Sequence, residues 1–599
     1  MPLPIEDYAL IGDRRTAALV GLNGSVDWLC LPRFDSAACF AGLLGGDEHG
    51  RWLLAPAGDY TVKRTYVGDT ALLETTFTTA TGTLTLTDLM PTNDDRADLV
   101  RQVRGVAGTV LVRHEWVVRF DYGKVRPWVS RHHDGDGHAI VAVAGPDMLV
   151  LRGPRLPDAV GGRHTDEFEV HEGDELTFAT TWVPSWNAVP PPADLDGSIA
   201  RTHAEEQQWS QGCSEDLPHR DLVVRSLLTL RLLTHAETGG IVAAPTTSLP
   251  EDFGGVRNWD YRYCWLRDAS LTIEALLAAG YEQEARLWRT WLLRTVAGDP
   301  EDLQIMYAVD GARRLPEREL DHLPGYAGSV PVRIGNGAVD QLQTDVLGEV
   351  MVALQQAREA GIEESDFSWS LQRTLVDHLA DHWDRPDHGL WEIRAERRDF
   401  THSRVMVWAA FDRAVQAVER HGLEGPVDRW RKVRDDVRAE VLARGVDRDR
   451  MTFTQHYDTT EVDSSLLMIP LVGFLPGDDP LVMGTIDAVV EDLSRDGLLL
   501  RYRTSTGVDG LPGDEHPFLA CSFWLVSAYA MAGRDTEAMA LFDRLCALAN
   551  DVGLLSEEYD VGGDRMAGNF PQALSHLTLV QAALRIAAGR SRSGPPPRS

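Results

Sequence analysis

The chain lacks the features that mark a secreted, metal-bound or membrane-spanning protein. Its six cysteines (Cys30, Cys39, Cys213, Cys264, Cys521 and Cys546) include no CxxC pair, and most sit in apolar runs, as reduced core thiols do. Zinc sites need clustered Cys and His ligands, so no metal and no other cofactor is expected. No apolar stretch is long enough to cross a bilayer. The opening MPLPIEDYALIGDRR has acids at Glu6 and Asp7 and no run of the length a secretory signal needs. These absences predict a cytoplasmic protein with free thiols. Basic residues are outnumbered, 58 against 91 acidic, giving a formal net charge of -33. That field repels phosphate backbones and anionic headgroups, so neither nucleic acid nor membrane is an expected partner. A small neutral ligand such as a sugar is indifferent to it, and a homo-oligomer is left open.

What is present divides the chain in two. Its 599 residues, 43% of them hydrophobic and 25% charged, are enough for two domains or more. Up to about residue 190 the pattern is short and alternating, as in RWLLAP, YTVKRTYV, LLETTFTTATGTLTLTDLM and TVLVRHEWVVRF. Period-two apolar positions rich in threonine and valine predict antiparallel strands, and their spacing a β-sandwich. The segment WNAVPPPADLDG places a boundary near residue 195. The expected organisation is therefore a sandwich over 1–195, a linker over 196–217 and a helical domain over 218–590. The tail 591–599 is expected to be disordered.

Past residue 218 the apolar period becomes 3.6. A dozen helices are predicted, starting near residues 218, 267, 282, 338, 367, 403, 425, 462, 480, 519, 535 and 571. With no strands between them, they can pair as inner and outer rings closing into a toroid, or stack as a solenoid.

Three loop segments combine aromatics with carboxylates and arginines, the mixture sugar sites use. NWDYRYCWLRDAS carries Trp259, Tyr261, Trp265, Arg267 and Asp268; HGLWEIR carries Leu390, Trp391 and Glu392; LLSEEYD carries Glu557, Glu558, Tyr559 and Asp560. Each has a plainer reading: acids near a helix start are often caps or dipole partners, and Arg267 with Asp268 reads equally as a structural ion pair. Three such segments at helix ends favour a shared pocket.

In order along the chain, SVDWLCLPRFDS, NWDYRYCWLRD, PVRIGNGAVDQLQTD, GLWEIR, LRYR, SEEYD and GNFPQALSH resemble glycoside hydrolase family fifteen, the glucoamylases and the bacterial and archaeal trehalases. The resemblance covers nearly the whole chain. It implies an N-terminal antiparallel β-sandwich followed by an (α/α)6 barrel, and an inverting exo-acting hydrolysis of an α-glucoside. Matched residue by residue, it makes Glu392 the proton donor and Glu557 the general base. Arg267 and Asp268 become the clamp on the terminal glucose, Tyr261 the tyrosine near the base, Arg501 a further sugar-binding arginine, and Leu390 and Trp391 pocket lining. Trp265 and Glu558 complete the expected substrate contacts. Glu349, in DVLGEV, is the alternative donor. Hydroxyls of Tyr559 and Tyr261 are expected to favour ionised Glu557.

The chain departs from the starch-degrading members at Ile393, where they carry a second acid, and at Pro331 and Val332, where a cleft aromatic precedes the counterpart of Arg333. Trehalose is therefore the expected substrate, with maltooligosaccharides the alternative. Trp28, Phe34 and Asp35 are read either as reaching the second sugar or as a core strand and turn. From other classes, a disaccharide phosphorylase or a non-catalytic sugar-binding protein stays open.

Overall fold

The structure, a computed structural model, describes residues 2–92, 96–134 and 137–593. Strands fill the first part, ending at Glu175–Pro184, and form two antiparallel layers that share one strand, Ala97–Val117. Its first half, 97–104, pairs with Glu175–Trp182, and its second, 109–117, with His164–His171 and Arg51–Pro56. A strand can serve both layers only if it bends, and bulges and glycines supply the bend. Here the register slips opposite Thr83/Leu84, and Gly108 takes φ +65.

Thirteen α-helices follow among the described residues: α1 Leu195–Ser210, α2 Arg220–Leu232, α3 Leu266–Ala278, α4 Glu282–Thr295, α5 Asp345–Glu359, α6 Asp366–Ala380, α7 Thr401–His421, α8 Val427–Arg444, α9 Met468–Leu471, α10 Pro480–Leu493, α11 Leu519–Met531, α12 Asp535–Cys546 and α13 Ala573–Ser593. Their starts follow local chemistry: Ser365 caps α6 through the Ser368 N–H, and Asp479 with Pro480 opens α10. Helices α3, α5, α7, α9, α11 and α13 touch in that order, and α13 returns to α3. A solenoid keeps its ends apart, so this closure makes the helical part an (α/α)6 barrel.

Segment 196–217, expected as a linker, instead carries α1 over Leu195–Ser210. The helix predicted near 338 begins at Asp345, after a 3-10 turn over Gly337–Asp340 capped by Asn336. Of the tail, 591–593 end α13 and 594–599 lie outside the described residues. No helix among the described residues is long and apolar enough to cross a membrane.

The apolar core runs without a break from the sandwich into the barrel. Polar ties reinforce the junction. Arg64 pairs with Asp551 at 2.7 Å, and the Asn550 side chain donates to the carbonyls of Glu6 and Tyr8. Trp28 is fully buried, and its indole N–H donates to the Pro245 carbonyl at 2.8 Å. Phe34 is also fully buried, and Asp35 pairs with Arg33. None of the three lines the barrel cavity, so the core-strand reading holds over the sugar-contact one. The six cysteines are free and buried.

Candidate active site

Inner helices of an α/α barrel all run the same way, so the loops before them gather at one end. Those loops surround one cavity, lined by Tyr261, Trp265, Arg267, Asp268, Leu390, Trp391, Glu392 and Arg501, together with Glu251, Arg257, Trp259, Asn336, Arg394, Tyr502 and Phe518. Every expected site residue except Glu557 and Glu558 is therefore on its wall.

The Arg267 and Asp268 pair sits in the first turn of α3. Arg267 Nε donates to Asp268 at 2.6 Å, and Nη1 donates to the Leu390 carbonyl at 3.0 Å, tying α3 to the loop before α7. Glu392 is held beside them. The Trp265 indole N–H donates to its Oε1 at 2.6 Å, Arg267 Nη1 lies 4.0 Å away, and Gln341 donates to its backbone carbonyl. Its φ is +57, in the left-handed region that non-glycine residues avoid, and such strain persists only where the surroundings hold it. Burial raises the Glu392 carboxyl above its ordinary range, against the opposing pull of Arg267 and the Trp265 N–H.

Glu557 lies behind the wall, fully buried. Tyr261 donates to its Oε1 at 2.5 Å, and the Asn569 N–H to its Oε2 at 3.1 Å. Gly568, at φ +74, passes so close that a Cβ there would meet Oε2 at 2.5 Å. The Tyr261 and Trp265 rings pack edge to face, 5.5 Å between centroids, so one aromatic pair links the two glutamates. The expected charge balance at Glu557 needs correction. Tyr559 donates to Asp564, not to Glu557. Burial, then the charge of Glu251, push the Glu557 carboxyl up to about 8, outweighing Arg501, Tyr261 and the Asn569 amide.

Arg501 is surrounded by acids. Its Nη2 lies 2.8 Å from Glu251, 2.7 Å from Glu515 and 3.1 Å from Glu558. Glu558 is fully buried, accepts also from the His516 N–H, and does not line the cavity. It pairs with Arg501 and lies off the cavity wall, where the sequence places it among the substrate contacts. The carboxylate oxygens of Glu251, Glu515 and Glu558 lie within 4.8 Å of one another, close enough to share a cation, but the Arg501 guanidinium already occupies their centre. Glu349, the alternative donor, is buried within α5 and away from the cavity wall.

Glu251 and Arg394 are among the wall residues that escaped the sequence reading. Arg394 follows Glu392 by two positions in GLWEIR, a signal that was available. Glu251, in LPEDFGG, is brought to Arg501 only by the closed ring.

The profile of glycosyl hydrolases family 15 matches residues 218–584, and that of the trehalase-like N-terminal domain residues 1–163. The trehalase of Mycolicibacterium smegmatis is 36% identical over 97% of this chain and 91% of its own, and that of Mycobacterium tuberculosis 36% over 97% and 89%. The trehalase of Thermoplasma volcanium is 32% identical over 97% and 93%. A shorter match joins the isomaltose glucohydrolase of Kribbella flavida, 28% identical over 45% of this chain and 66% of that protein. Among solved structures, a bacterial glucoamylase complexed with acarbose shares the fold, with a TM-score of 0.72 at 12% identity over 98% of this chain and 95% of that one. With the family model matched over residues 218–584 and 97% of its length aligned with the trehalases, the chain belongs to glycosyl hydrolases family 15 and is a glycoside hydrolase.

Proposed function

We propose that the chain hydrolyses α,α-trehalose to two glucose molecules in one inverting displacement, with Glu392 as general acid and Glu557 as general base. The observation that carries the substrate is the near-complete alignment with proteins named trehalase. The placement of two carboxyls on opposite ends of the Tyr261–Trp265 pair supports the mechanism.

Inversion needs a proton donor at the glycosidic oxygen and a carboxylate that activates water on the other face, about 6.5 to 9.5 Å apart. Glu392 suits the donor role because burial favours its protonated form, while the Trp265 N–H holds its Oε1. Arg267, Asp268 and the Leu390 carbonyl form a rigid polar corner for the hydroxyls of the glucose being attacked. Glu557 activates the water, its carboxylate oriented by the Tyr261 hydroxyl at Oε1 and the Asn569 N–H at Oε2. As the bond to the leaving sugar breaks, the Glu392 proton passes to its oxygen. The Glu557 carboxylate takes a proton from water, whose oxygen bonds to the anomeric carbon. The six buried thiols support a reducing, cytoplasmic setting.

A second reading, hydrolysis of another α-glucosidic disaccharide, is favoured by the partial likeness to the isomaltose glucohydrolase. Incubation with trehalose, maltose, isomaltose and starch separates the two. The first reading expects the highest kcat/KM on trehalose, and a clear preference for another sugar replaces it with the second.

A further inference from the structure

On the cavity wall, the Trp259 ring carries two guanidinium groups. Arg333 lies 4.6 Å and Arg394 4.2 Å from its ring centroid, each a favourable cation–π distance. Arg333 is fixed to the loop by donating to the carbonyls of Val256 and Asn258, at 2.9 and 3.1 Å. Arg394 Nη2 donates to Glu317 Oε2 at 3.1 Å, and the same oxygen accepts from the Gly337 N–H. Glu317 also approaches Arg333 at 3.8 Å. Two guanidinium groups already lie against the Trp259 ring. It works as a post on which Arg394 is mounted.

The position of Arg394 fixes what it meets. Side-chain exposure rises from Arg267 and Asp268, at 14% and 9%, through Glu392 at 24% to Arg394 at 31%. The glucose under attack takes the buried corner, the glycosidic oxygen sits at Glu392, and the leaving sugar extends outward past it. Arg394 is two residues beyond Glu392 on that outward side. Its Nη2 is engaged by Glu317, and among the described residues no protein partner is shown for its Nε or Nη1. Guanidinium donors in a fixed fork suit the paired hydroxyls of a sugar ring.

We propose that Arg394, mounted on Trp259 and steadied by Glu317, is the residue that binds the leaving glucose and sets the preference for a disaccharide. This rests on the proposed reading of the cavity as a two-sugar site. Arg333, which follows Pro331 and Val332, is here turned onto Trp259.

The test compares α-glucosyl fluoride, whose leaving group is not a sugar, with the disaccharide that the wild type cleaves fastest. Choosing that disaccharide by measurement keeps this inference testable if trehalose proves not to be the substrate; that failure would concern the proposed function alone. Arg394→Ala is expected to lower kcat/KM on the disaccharide at least tenfold more than on the fluoride, with the loss mainly in KM. Arg394→Lys is expected to keep part of the discrimination. Glu317→Gln, which leaves Arg394 unsteadied, is expected to raise KM for the disaccharide about three- to tenfold, and it serves if Arg394→Ala does not fold. Parallel losses on both substrates in the arginine variants, or an unchanged KM in Glu317→Gln, overturn the assignment.

Discussion

Tyr261 donates its hydroxyl to Glu557 across 2.5 Å from the opposite end of the helical sequence, and this bond aims the carboxylate and also lowers its proton affinity. Hydrogen bonds to a charged group contribute about 1.5–3 kcal/mol, and each 1.36 kcal/mol is tenfold in rate. Tyr261→Phe is therefore expected to lower kcat by roughly 10- to 100-fold, with a smaller change in KM. It also removes an influence that lowers the Glu557 pKa, so the acid limb of the pH profile moves to higher pH. Steady-state kinetics across pH checks both; an unchanged limb contradicts the role given to the bond.

Glu251 acts on Glu557 with the opposite sign. Its negative charge raises the Glu557 pKa, and Glu557 must be ionised to act, so the acid limb of kcat/KM reports its loss of a proton. In the wild type that limb should lie well above the ordinary carboxylate range. Glu251→Gln removes the charge and is expected to move the limb to lower pH. A shift in the same direction as that of Tyr261→Phe is incompatible with this electrostatic account.

The reacting pair itself is checked by amide replacement. Glu392→Gln and Glu557→Gln are each expected to keep the fold and lose activity by several orders of magnitude, because each supplies one half of a concerted displacement. Glu349→Gln should retain catalysis, since its side chain lies within α5 and off the cavity wall. Activity in Glu392→Gln together with an inactive Glu349→Gln would falsify the donor assignment.

The burial of Trp28 yields a prediction about stability. Replacing it by Phe keeps most of the ring and removes the N–H that reaches Pro245, a loss of about 1 kcal/mol or more if the carbonyl is left unsatisfied. Thermal melting should show that loss, while the ratio of kcat/KM values on trehalose and maltose stays as in the wild type. A changed ratio would restore the reading in which this segment meets the second sugar.

These residues also show where sequence is a good guide. Most helices from α2 to α13 were legible from an apolar stripe with a 3.6-residue period, although α9 has only four residues and α5 begins later than expected. Helix α1 was not, because the stripe it buries is polar: Ser198, Thr202, Glu206 and Ser210. Glu206 accepts the Ala71 N–H at 2.7 Å, so a hydrogen bond replaces apolar contact there. The gathering of Glu392 with the Arg267–Asp268 pair on one cavity wall was legible from their motifs. The charge at Glu557 was not, because it depends on Glu251 and Arg501, which are separated by 250 positions and meet only when the ring closes. Glu558 was expected among the substrate contacts from its motif, while its own carboxylate turns to Arg501 and the His516 N–H, off the cavity wall.

The central claim, one inverting displacement on trehalose, is tested most directly by following the anomers of glucose by NMR in the first minutes of the reaction. Water adding opposite the departing oxygen converts the attacked glucose to the β anomer, while the leaving glucose keeps its α configuration. The account predicts equal amounts of α- and β-glucose before mutarotation, and α-glucose alone would contradict it.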